Sequence, residues 1–207
     1  MQEELNLGKI TAKFAIKFVL WTILFFVIGF IIVGIITGGA ISSMDSSPSG
    51  MEDLEDMFGA IKGFIYGLVF VDLIAALLAT KLSIGGITKK VTITAENRPK
   101  IFKNMMIVLI VMAVVVILIH TVAVKSIDGM IVQDIGEVDS LGELIKDAED
   151  EGDKIAREFG IDVEDELDEA LSLLKGLNTA GHIYSISGLL FVAMIPVANA
   201  LLKKKEQ

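Results

Sequence analysis

Residues 58–81 read FGAIKGFIYGLVFVDLIAALLATK. The stretch is apolar over a length that crosses a bilayer. Small residues recur at almost every fourth position on one side: Gly59, Gly63, Gly67, then Val71, Ala75 and Ala79. Such a stripe lets a second helix approach closely. Just off the stripe, near the middle, stands one carboxylate, Asp72. An acid at that depth does not simply face lipid.

Three other runs have the same character: Phe14–Thr37, about Ile101–Val124 and about His182–Leu202. They account for a chain that is 53% hydrophobic over 207 residues, above the roughly 45–50% of soluble domains. The first run follows Lys9 and Lys13 and exceeds the length of a signal-peptide core, so it reads as an uncleaved span. The third contains IVLIVMAVVVILI. In water this run would suggest a buried strand, but its length and context favour a spanning helix. Pro99 suits the first turn of that helix, and Pro196 is expected to kink the fourth. The expected fold is an all-α integral membrane protein with four transmembrane helices and an acidic extracytoplasmic helical hairpin between the third and fourth. Its segments are 1–124 with the first three spans, 125–181 with the acidic part, and 182–207 with the last span and tail.

The charges are sorted by segment. Lys9 and Lys13, then Lys89, Lys90, Arg98, Lys100 and Lys103, and finally Lys203–Lys205 flank one end of the spans. The other end carries the acids, and 17 of the chain's 27 Asp and Glu lie between Asp128 and Glu169. The positive-inside rule then puts both termini and the basic loop in the cytoplasm of a multi-pass cell-membrane protein. The basic loop would touch anionic lipid head groups. It is short and bounded by spans, so nucleic acid is not an expected partner. Cysteine is absent, which excludes disulfides and thiolate metal sites.

The acidic segment keeps helical periodicity. Leu141, Leu144, Ile145, Ala148, Ile155, Ala156 and Phe159 share one face, and Gly160 ends that helix. Asp162 can cap a second, with Val163, Leu167, Ala170, Leu171, Leu174 and Leu177 as its apolar side.

Four constellations could carry chemistry. Gly34 and Gly38 on the first span and Gly59, Gly63 and Gly67 on the second lie at similar depth. They are expected to form an intrachain contact, or else a seam between copies. Taking Lys13 and Lys81 as level ends places Asp72 beside Trp21 and Thr22. A neutral Asp72 hydrogen-bonded to Thr22 or to the Trp21 indole is then the simplest arrangement. A strained ion pair with Lys17, a proton or cation relay, and contact with a partner protein are the alternatives. His120 and His182 lie near the outer ends of their spans, where with a carboxylate they could hold Zn²⁺. Asp147, Glu149, Glu151 and Glu158, with Gly152 between, fall at positions 1, 3, 5, 12 and 6 of a calcium loop. Glu replaces the usual Asp or Asn at two positions, and Lys154 stands where an apolar residue is normal. Weak Ca²⁺ binding by the acidic surface is therefore the expectation, with no other cofactor.

No Walker loop, GxSxG or HExxH occurs. The layout of one small and one larger outer loop resembles that of tetraspanins. Their large loop is rich in cysteine, however, and the likeness covers no motif. The expected function is that of a non-enzymatic accessory, scaffolding or sensing subunit that binds a partner through the acidic hairpin. The alternative is an oligomeric channel or transporter subunit built around Asp72.

Overall fold

The structure, a computed structural model, describes residues 7–42, 51–133, 142–150 and 164–206. Six helices make up the described residues, without a strand: α1 Leu7–Ser42, α2 Met51–Thr88, α3 Arg98–Gln133, α4 over residues 142–150, α5 Glu164–Ile186 and α6 Leu189–Lys203. Helices α1, α2 and α3 are each long and apolar enough to cross a membrane. The α5–α6 pair passes the same test as one span, bent by 43° at its break.

The helices outrun the apolar runs that predict them. At 1.5 Å per residue, the 36 residues of α1 and the 38 of α2 extend about 54 and 57 Å. A hydrocarbon core is only about 30 Å thick. Polar turns therefore continue helically at both ends. The acidic end of α3 reaches Gln133, and α5 runs unbroken from Glu164 into the segment expected to open the fourth span.

Two units partition the chain. The first comprises Met1–Ile32, Val69–Leu118 and Ser187–Gln207. Its core joins Phe14 and Phe18 of α1, Ala76, Ala79 and Ile84 of α2, Ile101, Met105, Leu109 and Ala113 of α3, and Phe191, Met194 and Ala198 of α6. Phe18 stacks on Phe14 and meets Phe191 edge-on, with centroids 5.5 and 5.9 Å apart. The second unit comprises Val33–Leu68 and Ile119–Ile186. There Ile65 of α2 packs with Ile145 of α4 and with Leu171, Leu177 and Ala180 of α5. The periodic apolar residues of the acidic segment thus pack where they are described. Leu141, Ile155, Ala156, Phe159, Gly160, Asp162 and Val163 lie outside the described residues.

Burial distinguishes the spans. In its most apolar window α2 is 44% buried, α3 22% and α1 only 6%. Helix α1 exposes Ile16, Leu20, Ile23, Leu24, Val27, Ile28, Ile31 and Ile35 along its length. A face of this size is incompatible with water and suits a lipid environment.

The basic end of the first unit is tied together by specific polar contacts. Before α3, Thr94 N–H donates to Asn97 Oδ1 (2.9 Å) and Asn97 N–H donates to Thr94 Oγ1 (3.3 Å). Pro99 follows in the first turn, as expected. Asn104 of α3 donates to Thr11 of α1 at 2.8 Å. Arg98 Nη1 pairs with Glu206 at 2.7 Å, and Ile93 bridges to Glu206 through the backbone. The Arg98 and Glu206 side chains are 28% and 22% exposed, so their ion pair contributes at most about 1 kcal/mol. Its larger effect is to hold the tail. Arg98→Ala should leave global stability almost unchanged and accelerate tryptic cleavage at Lys203–Lys205. Equal cleavage rates in variant and parent would refute the tether.

Candidate functional site

Asp72 is fully buried in the first unit. It lies on the inward face of α2 with Val71, Ala75, Ala76 and Ala79, all of which are buried. Its carboxylate accepts a hydrogen bond from Ser187 Oγ, across 115 residues of sequence. Ser187 is itself buried and immediately precedes Gly188, the N-cap of α6. At this point the ladder tightens to three-residue spacing, with Leu190 N–H on Ser187 O (2.9 Å) and Phe191 N–H on Gly188 O (3.1 Å).

Asp72 therefore bonds to the junction between α5 and α6, and Thr22 does not supply the expected contact. The reason lies in register. Val71 packs onto Gly29, so Asp72 lies about two turns further along α1 than the expected level of Trp21 and Thr22. Both helices run past Lys13 and Lys81, which are not their ends. The same shift removes the Lys17 ion pair. The Lys17 amine lies against Gly86, fourteen residues along α2 from Asp72. Trp21 instead stacks with Phe25 at 5.8 Å. Thr22 is buried, and its hydroxyl meets no hydrogen-bond partner among the described residues.

The break between α5 and α6 is at Ser187–Gly188, while Pro196 stands inside α6 without interrupting it. A Ser/Gly pair is a recognised cause of a kink. Gly188 also lies close against α3. A Cβ there would stand 2.7 Å from Ala113 O and 2.9 Å from Ile117 N.

The glycine stripe is used only in part. Gly67 receives Val33, whose Cγ1 would lie 2.8 Å from an added Cβ, and Gly29 receives Val71. At Gly34, Gly38, Gly59 and Gly63 an added Cβ would meet nothing within 4 Å among the described residues. Close α1–α2 contact at these glycines therefore rests on Gly29 in the first unit and Gly67 in the second, and the expected run of glycine contacts is not present among the described residues.

The two histidines do different things. His120 is buried, stacked on Tyr184 at 4.0 Å, with Nδ1 3.2 Å from the Tyr184 carbonyl oxygen. His182 is exposed and interacts electrostatically with Asp128. Among the described residues, no three His, Asp or Glu are placed to hold a metal ion. Of the calcium-loop residues, Asp147 and Glu149 are exposed on α4, and Glu149 pairs with Lys175 of α5. Glu151 and Glu158 lie outside the described residues.

Sequence reading missed Ser187 and Gly29. The adjacent Gly188 was the available signal for Ser187, since Ser-Gly within an apolar run marks a weak point in a helix. Comparison with protein-family models, curated proteins and solved structures yields no match.

Proposed function

We propose that the protein is a non-enzymatic four-span membrane protein of the accessory or scaffolding kind, which engages a partner through the acidic helices between its third and fourth spans. Both termini and the basic loop lie in the cytoplasm. The exposed Lys89, Lys90, Lys100, Lys103 and Lys203–Lys205 contact anionic head groups there.

One observation carries this reading. The acidic segment is built into a packed module. Ile145, Leu171 and Leu177 bury their side chains with Ile65, while Asp147, Glu149, Asp150 and Glu169 stay exposed. A mere linker would not need that apolar packing. It fixes a negatively charged face on helices, and its natural complement is a basic partner segment.

The reading is tested by photo-crosslinking in intact membranes, with the probe placed at Asp147 or, as a control, at the lipid-exposed Leu20. A discrete protein adduct is expected from position 147 and not from position 20. The set Asp150→Asn, Glu149→Gln and Glu169→Gln should reduce it severalfold without altering membrane insertion. An adduct that is insensitive to these changes, or equal from both positions, would defeat the proposal.

A further inference from the structure

Asp72 does not stand alone on the inward face of α2. Asp72, Ala76, Ala79 and Ser83 follow one another at i, i+4, i+7 and i+11, a single helical stripe, with Thr80 beside it. All five are fully buried. The stripe leads from Asp72 towards the basic loop. On α1, Phe14, Phe18 and Thr22 are buried in the same manner. The contacts of Val71 with Gly29 and of Lys17 with Gly86 set the two helices in register. In that register Thr22 is level with Ala79 and Thr80, between Asp72 and Ser83.

Two hydroxyls on this line differ from five others among the described residues. Thr11, Thr37, Thr80, Ser126 and Thr179 each donate to the carbonyl four residues earlier, at 2.7 to 2.9 Å. That is the default for a hydroxyl within a helix. Thr22 Oγ1 and Ser83 Oγ do not, and they have no other hydrogen-bond partner among the described residues. A hydroxyl buried without a partner is costly, and native proteins satisfy such groups with ordered water. Alanine spacers at 76 and 79 keep the intervening side chains small.

We propose that Thr22 and Ser83 hold water inside the first unit, and that this hydrated line lets the Asp72 carboxyl exchange its proton with the aqueous phase on the basic-loop side. The proton leaves the carboxyl for a water, and each water passes one on towards Ser83. The carboxylate left behind keeps the Ser187 hydrogen bond. From Asp72 to Ser83 is eleven residues, about 16 Å along α2. Several water steps are therefore required, with Thr22 as the intermediate anchor. Beyond Ser83, the Lys17 amine lies at Gly86. This exchange is independent of the partner-binding reading above.

The test is infrared spectroscopy of the full-length protein reconstituted in lipid, following the carboxyl carbonyl band on transfer from H₂O to D₂O. Asp72→Asn identifies the band. The expected result is an Asp72 band that shifts on deuteration in the parent. Loss of one hydrogen-bonded step should slow that shift about tenfold in Thr22→Val and in Ser83→Ala. Thr22→Ser, which keeps the hydroxyl, should restore the parent rate, and Thr179→Val should not change it. The proposal is overturned by a parent band that does not exchange, by unchanged rates in both hydroxyl variants, or by the absence of an Asp72 carboxyl band at acid, neutral and alkaline pH. The first and last of these outcomes are read on the parent protein and do not depend on any variant folding.

Discussion

Gly188→Ala is expected to destabilise the protein by about 2 kcal/mol, although alanine is the better helix former. The two effects oppose each other. Alanine in place of glycine within a helix gains about 1 kcal/mol. Gly188 has an ordinary helical backbone, φ −54° and ψ −22°, so alanine introduces no torsional strain. Its methyl, however, would meet Ala113 O at 2.7 Å and Ile117 N at 2.9 Å. These are backbone atoms of α3 and cannot rotate away. Overpacking of this kind costs about 1–3 kcal/mol, towards the upper end where nothing yields, and it outweighs the propensity gain. In detergent the melting temperature should fall by roughly 4–8 °C. Gly63→Ala is the control, because an added Cβ there would meet nothing within 4 Å among the described residues, and it should be neutral or slightly stabilising. If both variants shift in the same direction, the close approach of Gly188 to α3 is wrong.

Ser187→Ala should cost about 1.5 kcal/mol, and the loss should be asymmetric between the two partners. Interhelical hydrogen bonds within membranes average about 0.6 kcal/mol and reach about 1.7. The Asp72–Ser187 pair belongs near that upper value because Asp72 is fully buried. Removing the hydroxyl leaves a buried carboxyl short of a partner, which is the expensive direction. Asp72→Leu leaves only a serine hydroxyl, which can turn to a carbonyl of its own helix as Thr80 and Thr179 do. That variant should lie within about 0.5 kcal/mol of the parent, and so should the double variant, since apolar replacement of both partners is nearly neutral. The measurement is a double-mutant cycle on unfolding in detergent. A cost for Asp72→Leu as large as that for Ser187→Ala would contradict this account.

The helices α1, α2 and α3 were legible in the sequence because predominantly apolar stretches of about twenty residues have few other uses. The faces were legible too: Ile145, Leu171 and Leu177 pack as their spacing predicts. Hydropathy could not supply register. It marks where a helix enters hydrocarbon, and α1 and α2 each continue well beyond those limits. Levelling them at Lys13 and Lys81 therefore misplaced Asp72 by two turns relative to α1. The small-residue stripe was misleading for a related reason. Glycine permits a close approach but does not create one. Val33 and Val71 decide which glycines are used, and they select Gly67 and Gly29. Pro196 drew attention away from Ser187–Gly188 because proline is the stronger local signal. The break formed instead where a glycine could meet the α3 backbone and a serine could reach a carboxylate.

The Asp72–Ser187 bond also sets a timetable for biogenesis. Its two ends are separated by 115 residues of chain. At synthesis rates of about 5–20 residues per second, α2 is complete about 5–20 s before the serine is made. Throughout that interval the second span carries its carboxyl without the group that receives it in the finished protein. Helix α1, little buried in its most apolar stretch, can partition into the bilayer as soon as it is made. The final packing of Asp72 waits for Ser187, so truncated chains ending before Ser187 should be cleared faster by membrane quality control than the full chain.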